Sequence, residues 1–206
     1  TKKTKAILLV HFAGLPCNMN PIIRIAKKYK LKIIEDCAHA IETEYKKKKT
    51  GTFGETGNFS FYANKNITTG EGGMLISNNR KIAEKVKMLR LHGMSKDAWQ
   101  RYAPDSVSEH KKTLHYDVKY TGYKYNMTDL QASMGISQLK KINFMWKKRK
   151  KIYEKYKTKL KNLPVFLQNS KYSNFKHGYH LFIMVIDKKK TKKNKDDLIK
   201  YLSKKK

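Results

Sequence analysis

Apolar and polar positions fall in blocks along this chain, and the blocks switch between a strand-like and a helix-like period. Residues 6–10, Ala-Ile-Leu-Leu-Val, form a continuous apolar run of the length of a buried strand. Residues 11–20, with Gly14 and Pro16, read as a loop. Asn20 is placed to cap a helix whose first position suits Pro21. Ile22, Ile23, Ile25, Ala26 and Tyr29 give that helix an apolar face, with Lys27, Lys28 and Lys30 outward. Residues 31–35 are the next strand. Strand, helix and strand in this order make a βαβ unit, whose crossover is normally right-handed. Active groups belong at the carboxyl ends of such parallel strands.

Residues 45–56 read as a polar excursion with a turn near Gly51 and Gly54. Residues 58–63 and 73–77 are expected strands. Asn79 is placed to cap a helix over residues 80–91, where Ile82, Ala83, Val86 and Leu89 follow the 3-4 spacing. Residues 94–121 show no period and read as a long loop, of the kind that serves as a lid or binding loop. Thr128 caps a long helix from Asp129 to about residue 161, and Pro164 ends it. Residues 180–186 are a further strand, and residues 196–202 begin a helix that the chain stops inside. The pattern predicts an α/β fold with a mostly parallel sheet flanked by helices.

With 206 residues the chain fits one domain, or one domain and part of another, and it can bury a core. No run approaches the ~18 apolar residues of a membrane span. No charged start with an apolar stretch marks a secretory signal. Cys17 and Cys37 give neither a disulfide framework nor metal-ligand spacing, which points to a reducing, cytoplasmic setting. His11, His92, His110, His115 and His177 also lack ligand spacing, so no metal is expected. The formal charge of +31 raises the question of a nucleic-acid partner. Yet only Arg24, Arg80, Arg90, Arg101 and Arg149 are arginines, the residue suited to bidentate recognition of bases and phosphates. The lysines are scattered, with short runs at residues 46–49, 147–151 and 188–190. No zinc-finger spacing, aromatic RNA-binding motif or basic zipper accompanies them. The charge reads as a lysine-rich coat on an ordinary fold.

Two segments carry candidate chemistry. Asn58-Phe-Ser-Phe-Tyr-Ala-Asn-Lys65 sets a lysine at the end of an apolar, aromatic stretch, and Gly70-Glu-Gly-Gly73 follows it. An amine stripped of water is a usable nucleophile. Upstream, residues 31–40 deliver Asp36 and His39 just past a strand end. An amine, a carboxylate and an imidazole at strand ends suit pyridoxal-phosphate chemistry, where a lysine forms the Schiff base and an acid pairs with the pyridinium nitrogen.

Five motifs stand in order: Glu35-Asp-Cys-Ala-His-Ala40; Phe59-Ser-Phe with Lys65 and Gly70-Glu-Gly-Gly73; Leu91-His-Gly-Met-Ser95; Gly122-Tyr-Lys-Tyr-Asn-Met-Thr-Asp-Leu-Gln-Ala132; and His180-Leu-Phe182. Together they resemble the DegT/DnrJ/EryC1/StrS family of sugar aminotransferases, most of all its UDP-4-amino-4-deoxy-L-arabinose–oxoglutarate aminotransferase branch. The resemblance runs from residue 1 to about residue 185. It implies a fold-type I pyridoxal-phosphate enzyme, with residues 1–152 part of the large cofactor-binding domain and residues 153–206 the start of a smaller, truncated C-terminal domain. It further implies that Lys65 is the Schiff-base lysine and the catalytic acid–base. Asp36 is implied to hold the pyridine nitrogen protonated, His39 to lie against the ring or its phenolic oxygen, and Ser60 to bind the cofactor phosphate. Asn126 is implied to reach the phosphate of a neighbouring subunit in a homodimer, and His180 to sit near the substrate.

The implied reaction moves an amino group from glutamate, leaving 2-oxoglutarate, to a nucleotide-linked keto-sugar, with a UDP-linked 4-keto sugar favoured. Cell-surface polysaccharide or lipid A sugar synthesis is the setting it suggests. The resemblance also implies that family segments upstream and downstream, which complete the cofactor and amino-acid sites, lie outside this chain. Three other readings stand beside it: an inactive fragment of such an enzyme, a basic nucleic-acid-binding protein, and a sugar dehydratase of the same fold. In the dehydratases a histidine replaces the lysine, so Lys65 argues against that branch.

Overall fold

The computed structural model describes residues 1–95, 117–169 and 173–205. The expected long loop falls mostly on residues 96–116, outside the described residues. In chain order the elements are β1 (Ala6–Val10), α1 (Met19–Lys28), β2 (Lys32–Asp36), β3 (Glu44–Tyr45), β4 (Lys48–Lys49), β5 (Thr56–Ser60), β6 (Gly73–Ile76), α2 (Arg80–Leu89), α3 (Asp129–Leu160), β7 (Val165–Leu167), β8 (Phe175–Lys176), β9 (Met184–Ile186) and α4 (Lys195–Ser203). The main sheet has the order β1-β2-β5-β6. Its first three strands run parallel, and β6 returns antiparallel to β5. The βαβ unit is present as expected.

On one face of this sheet Leu9 and Ile33 pack with Met19 and Ala26 of α1 and with Tyr45, and Ile7, Ile22, Ile23, Leu31 and Phe53 close around them. Alternation along β1 sends Leu8 and Val10 to the other face, where they are exposed. The helix α1 begins earlier than the Asn20 cap predicted. Asn18 holds the cap position but makes no capping bond, because its side chain accepts from the Tyr45 hydroxyl at 2.8 Å. The cap at Asn79 forms as expected, its side chain accepting from the Lys81 and Ile82 amides. Thr128 and Gln131 form a reciprocal capping box that starts α3. The helix α4 ends within the chain, with Lys204 at its C-cap.

Three further elements differ from expectation for identifiable reasons. The polar excursion is a short hairpin, β3 and β4, and β8 extends it to a three-stranded antiparallel sheet. Its turn residues are Lys46 and Lys47, both with positive φ (49° and 64°), which lysines rarely adopt. Strand β5 runs over Thr56–Ser60 and stops short of residue 63, because the Tyr62 amide turns back onto Ser60 Oγ at 3.3 Å. Only Met184–Ile186 of residues 180–186 is a strand, pairing with β7. The amides of His180 and Leu181 are drawn away to the Ala13 carbonyl, at 3.2 and 3.3 Å.

The two glycines expected to make a turn serve a buried acid. Glu35 is fully buried. One of its oxygens accepts from Phe53 N (2.7 Å) and Gly54 N (2.8 Å), the other from Gly51 N (2.7 Å) and His11 Nε2 (3.0 Å). The Cys17 amide donates to His11 Nδ1 at 3.0 Å, which places the imidazole proton on Nε2, toward Glu35. Gly51 has φ +86°, and a β-carbon there would lie 2.9 Å from the Phe59 ring. Burial raises a carboxyl, but here the bonds from His11 and the Gly51, Gly54 and Phe53 amides outweigh it and hold Glu35 below the usual range. Replacing Glu35 by Ala strands these donors in the interior. Glu35→Ala is expected to lower the unfolding free energy by about 3–5 kcal/mol in chemical denaturation; a change within experimental error would show that the network carries no stability.

Candidate functional site

Asp36 is the last residue of β2, and alternation turns it to the face opposite Glu35, where it is half-buried. Its Oδ1 accepts from the Ala38 amide at 2.9 Å, closing a turn that carries the chain to His39. Lys65, half-buried, lies in the turn after β5, its amide bonded to the Tyr62 carbonyl at 3.0 Å. It therefore stands beyond the strand end rather than on it. His39 feels the charge of both Lys65 and Asp36, so the three groups share one neighbourhood. Burial and then Lys65 push the His39 imidazole below its usual range, against the pull of Asp36.

His180 completes the cluster. Its ring centroid lies 4.3 Å from that of His39, with the planes 36° apart. One residue clamps the two imidazoles: the Ala13 amide donates to His39 Nδ1 at 3.2 Å, and the Ala13 carbonyl accepts from the His180 amide. Ala13 holds this position with φ +60° in a buried, sparsely populated conformation. Burial, then His39, Lys65 and Arg149, push His180 down to about 4.

Behind His180 lies a polar chain that sequence reasoning missed. Asn66 Nδ2 donates to Glu42 Oε2 at 2.7 Å and to the Gly178 carbonyl at 2.9 Å. Asn66 Oδ1 meets His180 Nδ1 at 2.9 Å. The other Glu42 oxygen pairs with Arg149 of α3. Glu42 is buried, and burial raises its carboxyl against the opposing effects of Asn66 and Arg149. The one local signal was adjacency: Asn66 follows Lys65, and Glu42 lies one helical-turn length past His39.

Ser60 closes β5 opposite Gly73, its hydroxyl accepting the Tyr62 amide. Asn126 lies two residues before the α3 cap at Thr128; α3 in turn meets the glycine loop, where Gln131 Nε2 donates to the Glu71 carbonyl at 3.0 Å. The Asn126 side-chain oxygen is buried and makes no hydrogen bond among the described residues. His11, Glu35 and Cys37 are close enough together to suggest a metal site. However, both Glu35 oxygens already accept from N–H donors, one of them His11, whose Nδ1 in turn accepts from the Cys17 amide; burial, with Glu35 nearby, also pushes the Cys37 thiol up to about 12.

A family model described as the DegT/DnrJ/EryC1/StrS aminotransferase family matches residues 1–206. The chain belongs to this family. Among relatives of the DegT/DnrJ/EryC1/StrS chain, an uncharacterised Methanocaldococcus jannaschii protein, MJ1066, is 48% identical over 204 residues, covering 99% of this chain and 51% of that protein. The Bacillus subtilis spore coat polysaccharide biosynthesis protein SpsC is 40% identical over 199 residues, 97% of this chain and 50% of SpsC. The chain thus spans about half the length of the curated relatives it matches. Helicobacter pylori PseC, an aminotransferase involved in pseudoaminic acid biosynthesis, superposes with a TM-score of 0.79 at 32% identity, over 92% of this chain and 47% of PseC. A putative sugar aminotransferase, Spr1654 of Streptococcus pneumoniae, in its PMP form gives 0.79 at 27% identity, over 91% of this chain and 50% of that one. The GDP-4-keto-6-deoxymannose-3-dehydratase ColD gives 0.82 at 26% identity, over 99% of this chain and 52% of ColD. The fold is that of fold-type I pyridoxal-phosphate enzymes, as the resemblance implied.

His177 adds to the electrostatic picture, since burial pushes it down to about 4 as well. A histidine whose folded value lies below its unfolded value of about 6.5 stabilises the fold above that pH and loses the contribution as pH falls through it. Thermal unfolding is therefore expected to drop by several degrees between pH 7 and pH 4.5. His177→Gln should flatten that slope, whatever it does to the midpoint at pH 7; an unchanged slope would rule His177 out as its source.

Proposed function

We propose that this chain carries the lysine half of a pyridoxal-phosphate aminotransferase that moves an amino group from glutamate to a nucleotide-linked keto-sugar, a UDP-4-keto sugar favoured. The observation that supports this most is the gathering of Lys65, Asp36, His39 and His180 at the carboxyl end of parallel strands. The family membership, and the roles in the names of SpsC and PseC, favour sugar chemistry for cell-surface polysaccharide. ColD shares the fold but is a dehydratase, so the fold alone leaves the chemistry open, and Lys65 favours transamination.

The residues fit the cofactor. Asp36 supplies a carboxylate for a pyridinium N–H, and the Ser60 hydroxyl is a donor for phosphate. Asn126 carries an amide NH2, a donor of the kind a phosphate of a second subunit would accept from. Homodimerisation belongs to this reading, since Leu130 and Met134, just after Asn126, are exposed. Pyridoxal phosphate, when bound, supplies an electron sink for removing a proton beside an amine. Lys65 would hold the cofactor through its side-chain amine and, once displaced from it by the incoming amine, would take and return that proton at Nζ. His39, with Nδ1 occupied by the Ala13 amide, keeps its proton on Nε2 and so donates from that atom.

Two substitutions in the full-length protein test this. Lys65→Ala should abolish the cofactor chromophore that borohydride fixes and slow turnover by about 100-fold or more. A yellow, reducible Lys65→Ala protein would refute the assignment. Asp36→Ala should keep the reducible chromophore and lose transamination; unchanged turnover would remove Asp36 from the mechanism.

A further inference from the structure

Asn66 follows Lys65 directly, yet its side chain is committed elsewhere. Both hydrogens of its amide point to groups that only accept, the Glu42 carboxylate and the Gly178 carbonyl. The atom facing His180 is therefore the amide oxygen, also an acceptor, and the 2.9 Å contact requires the proton to sit on His180 Nδ1. Arg149 anchors the far oxygen of Glu42. From Glu42 to His180 each hydrogen bond has its direction set.

The neighbouring histidines have the opposite arrangement. Backbone amides donate to Nδ1 of His11, His39 and His177, from Cys17, Ala13 and Tyr179 at 3.0, 3.2 and 2.7 Å. When neutral, those three carry the proton on Nε2. His180 carries it on Nδ1, the minor tautomer of free histidine, and its Nε2 keeps a lone pair. We propose that Asn66 and Glu42 are positioning residues that fix His180 as an Nδ1–H imidazole, leaving Nε2 beside Lys65 as a standing acceptor for an N–H or O–H of the bound substrate. The substrate part rests on the aminotransferase reading above; the tautomer part stands without it. The charged and titratable groups around His180 are Lys65, Arg149 and His39, with Asp36 acting on His39 and Glu42 reached through Asn66. Burial and the positive charges among them favour the neutral ring, the state in which Nε2 accepts.

Long-range proton–nitrogen NMR of the full chain labelled with ¹⁵N-histidine reads the tautomer directly, with His180→Gln assigning its signals. At pH 7, His180 is expected to show a protonated Nδ1 and a bare Nε2, with His11, His39 and His177 as internal controls of the reverse pattern. Asn66→Leu should return His180 to the pattern of the other three and leave theirs unchanged. Should that variant fold poorly, the wild-type spectrum alone decides, since the tautomer is read without any substitution. The proposal is overturned by a wild-type His180 sharing the pattern of its neighbours, or by an Asn66→Leu signature that does not change. Cofactor binding is read separately, by the borohydride-fixed chromophore on Lys65. Its absence beside an intact His180 signature would refute the aminotransferase reading and the substrate role, and leave the tautomer assignment standing.

Discussion

A carboxylate with no access to water sits one residue before the end of β2, and four N–H groups converge on it. Glu35 draws in the loop from Gly51 to Gly54 and the imidazole of His11, so it fixes the strand to the segments on both sides. Asp36 inherits its position from this arrangement. Because successive side chains on a strand point oppositely, locking Glu35 inward aims Asp36 outward toward the site. The carboxylate that does no chemistry thus orients the one proposed to do it. His11 contributes twice, through Nε2 to Glu35 and through Nδ1 to the start of the segment leading to α1.

The site itself is organised by burial and by the two cations nearest its imidazoles. Lys65, Arg149 and two histidines stand close together, with the Asp36 and Glu42 carboxylates as counterweights. Crowding of like charge and partial burial both penalise another proton, and the imidazoles yield first because they bind it least tightly. Both imidazoles are pushed toward the neutral form. Their hydrogen-bond partners set them in opposite senses, one as a donor and one as an acceptor, which suits a reaction that both removes and returns a proton.

Much of this was legible in the residues alone. The strand–helix–strand start, the caps at Asn79 and Thr128, and the placement of Asp36 and His39 at a strand end all follow from local pattern and capping chemistry. What was not legible is what the chain closes over long distance. The hairpin at residues 44–49 turns on two lysines in a conformation that nothing in their identity announces. The strand expected from residue 180 is shortened because its first amides bond to Ala13 instead of a sheet neighbour. Glu42, Asn66 and Arg149 read singly as unremarkable polar residues, and their links to one another and to His180 span separations of 107 and 114 positions.

The bend at Ala13 has a consequence for how the molecule assembles. The ladder β1-β2-β5 closes from segments near one another in the chain, whereas the second imidazole arrives only when a stretch from far downstream lands on that one peptide. Loop-closure entropy makes such arrivals late and their departures cheap. A partly opened molecule therefore keeps its amine and surrenders the imidazole beside it, before the sheet has begun to come apart.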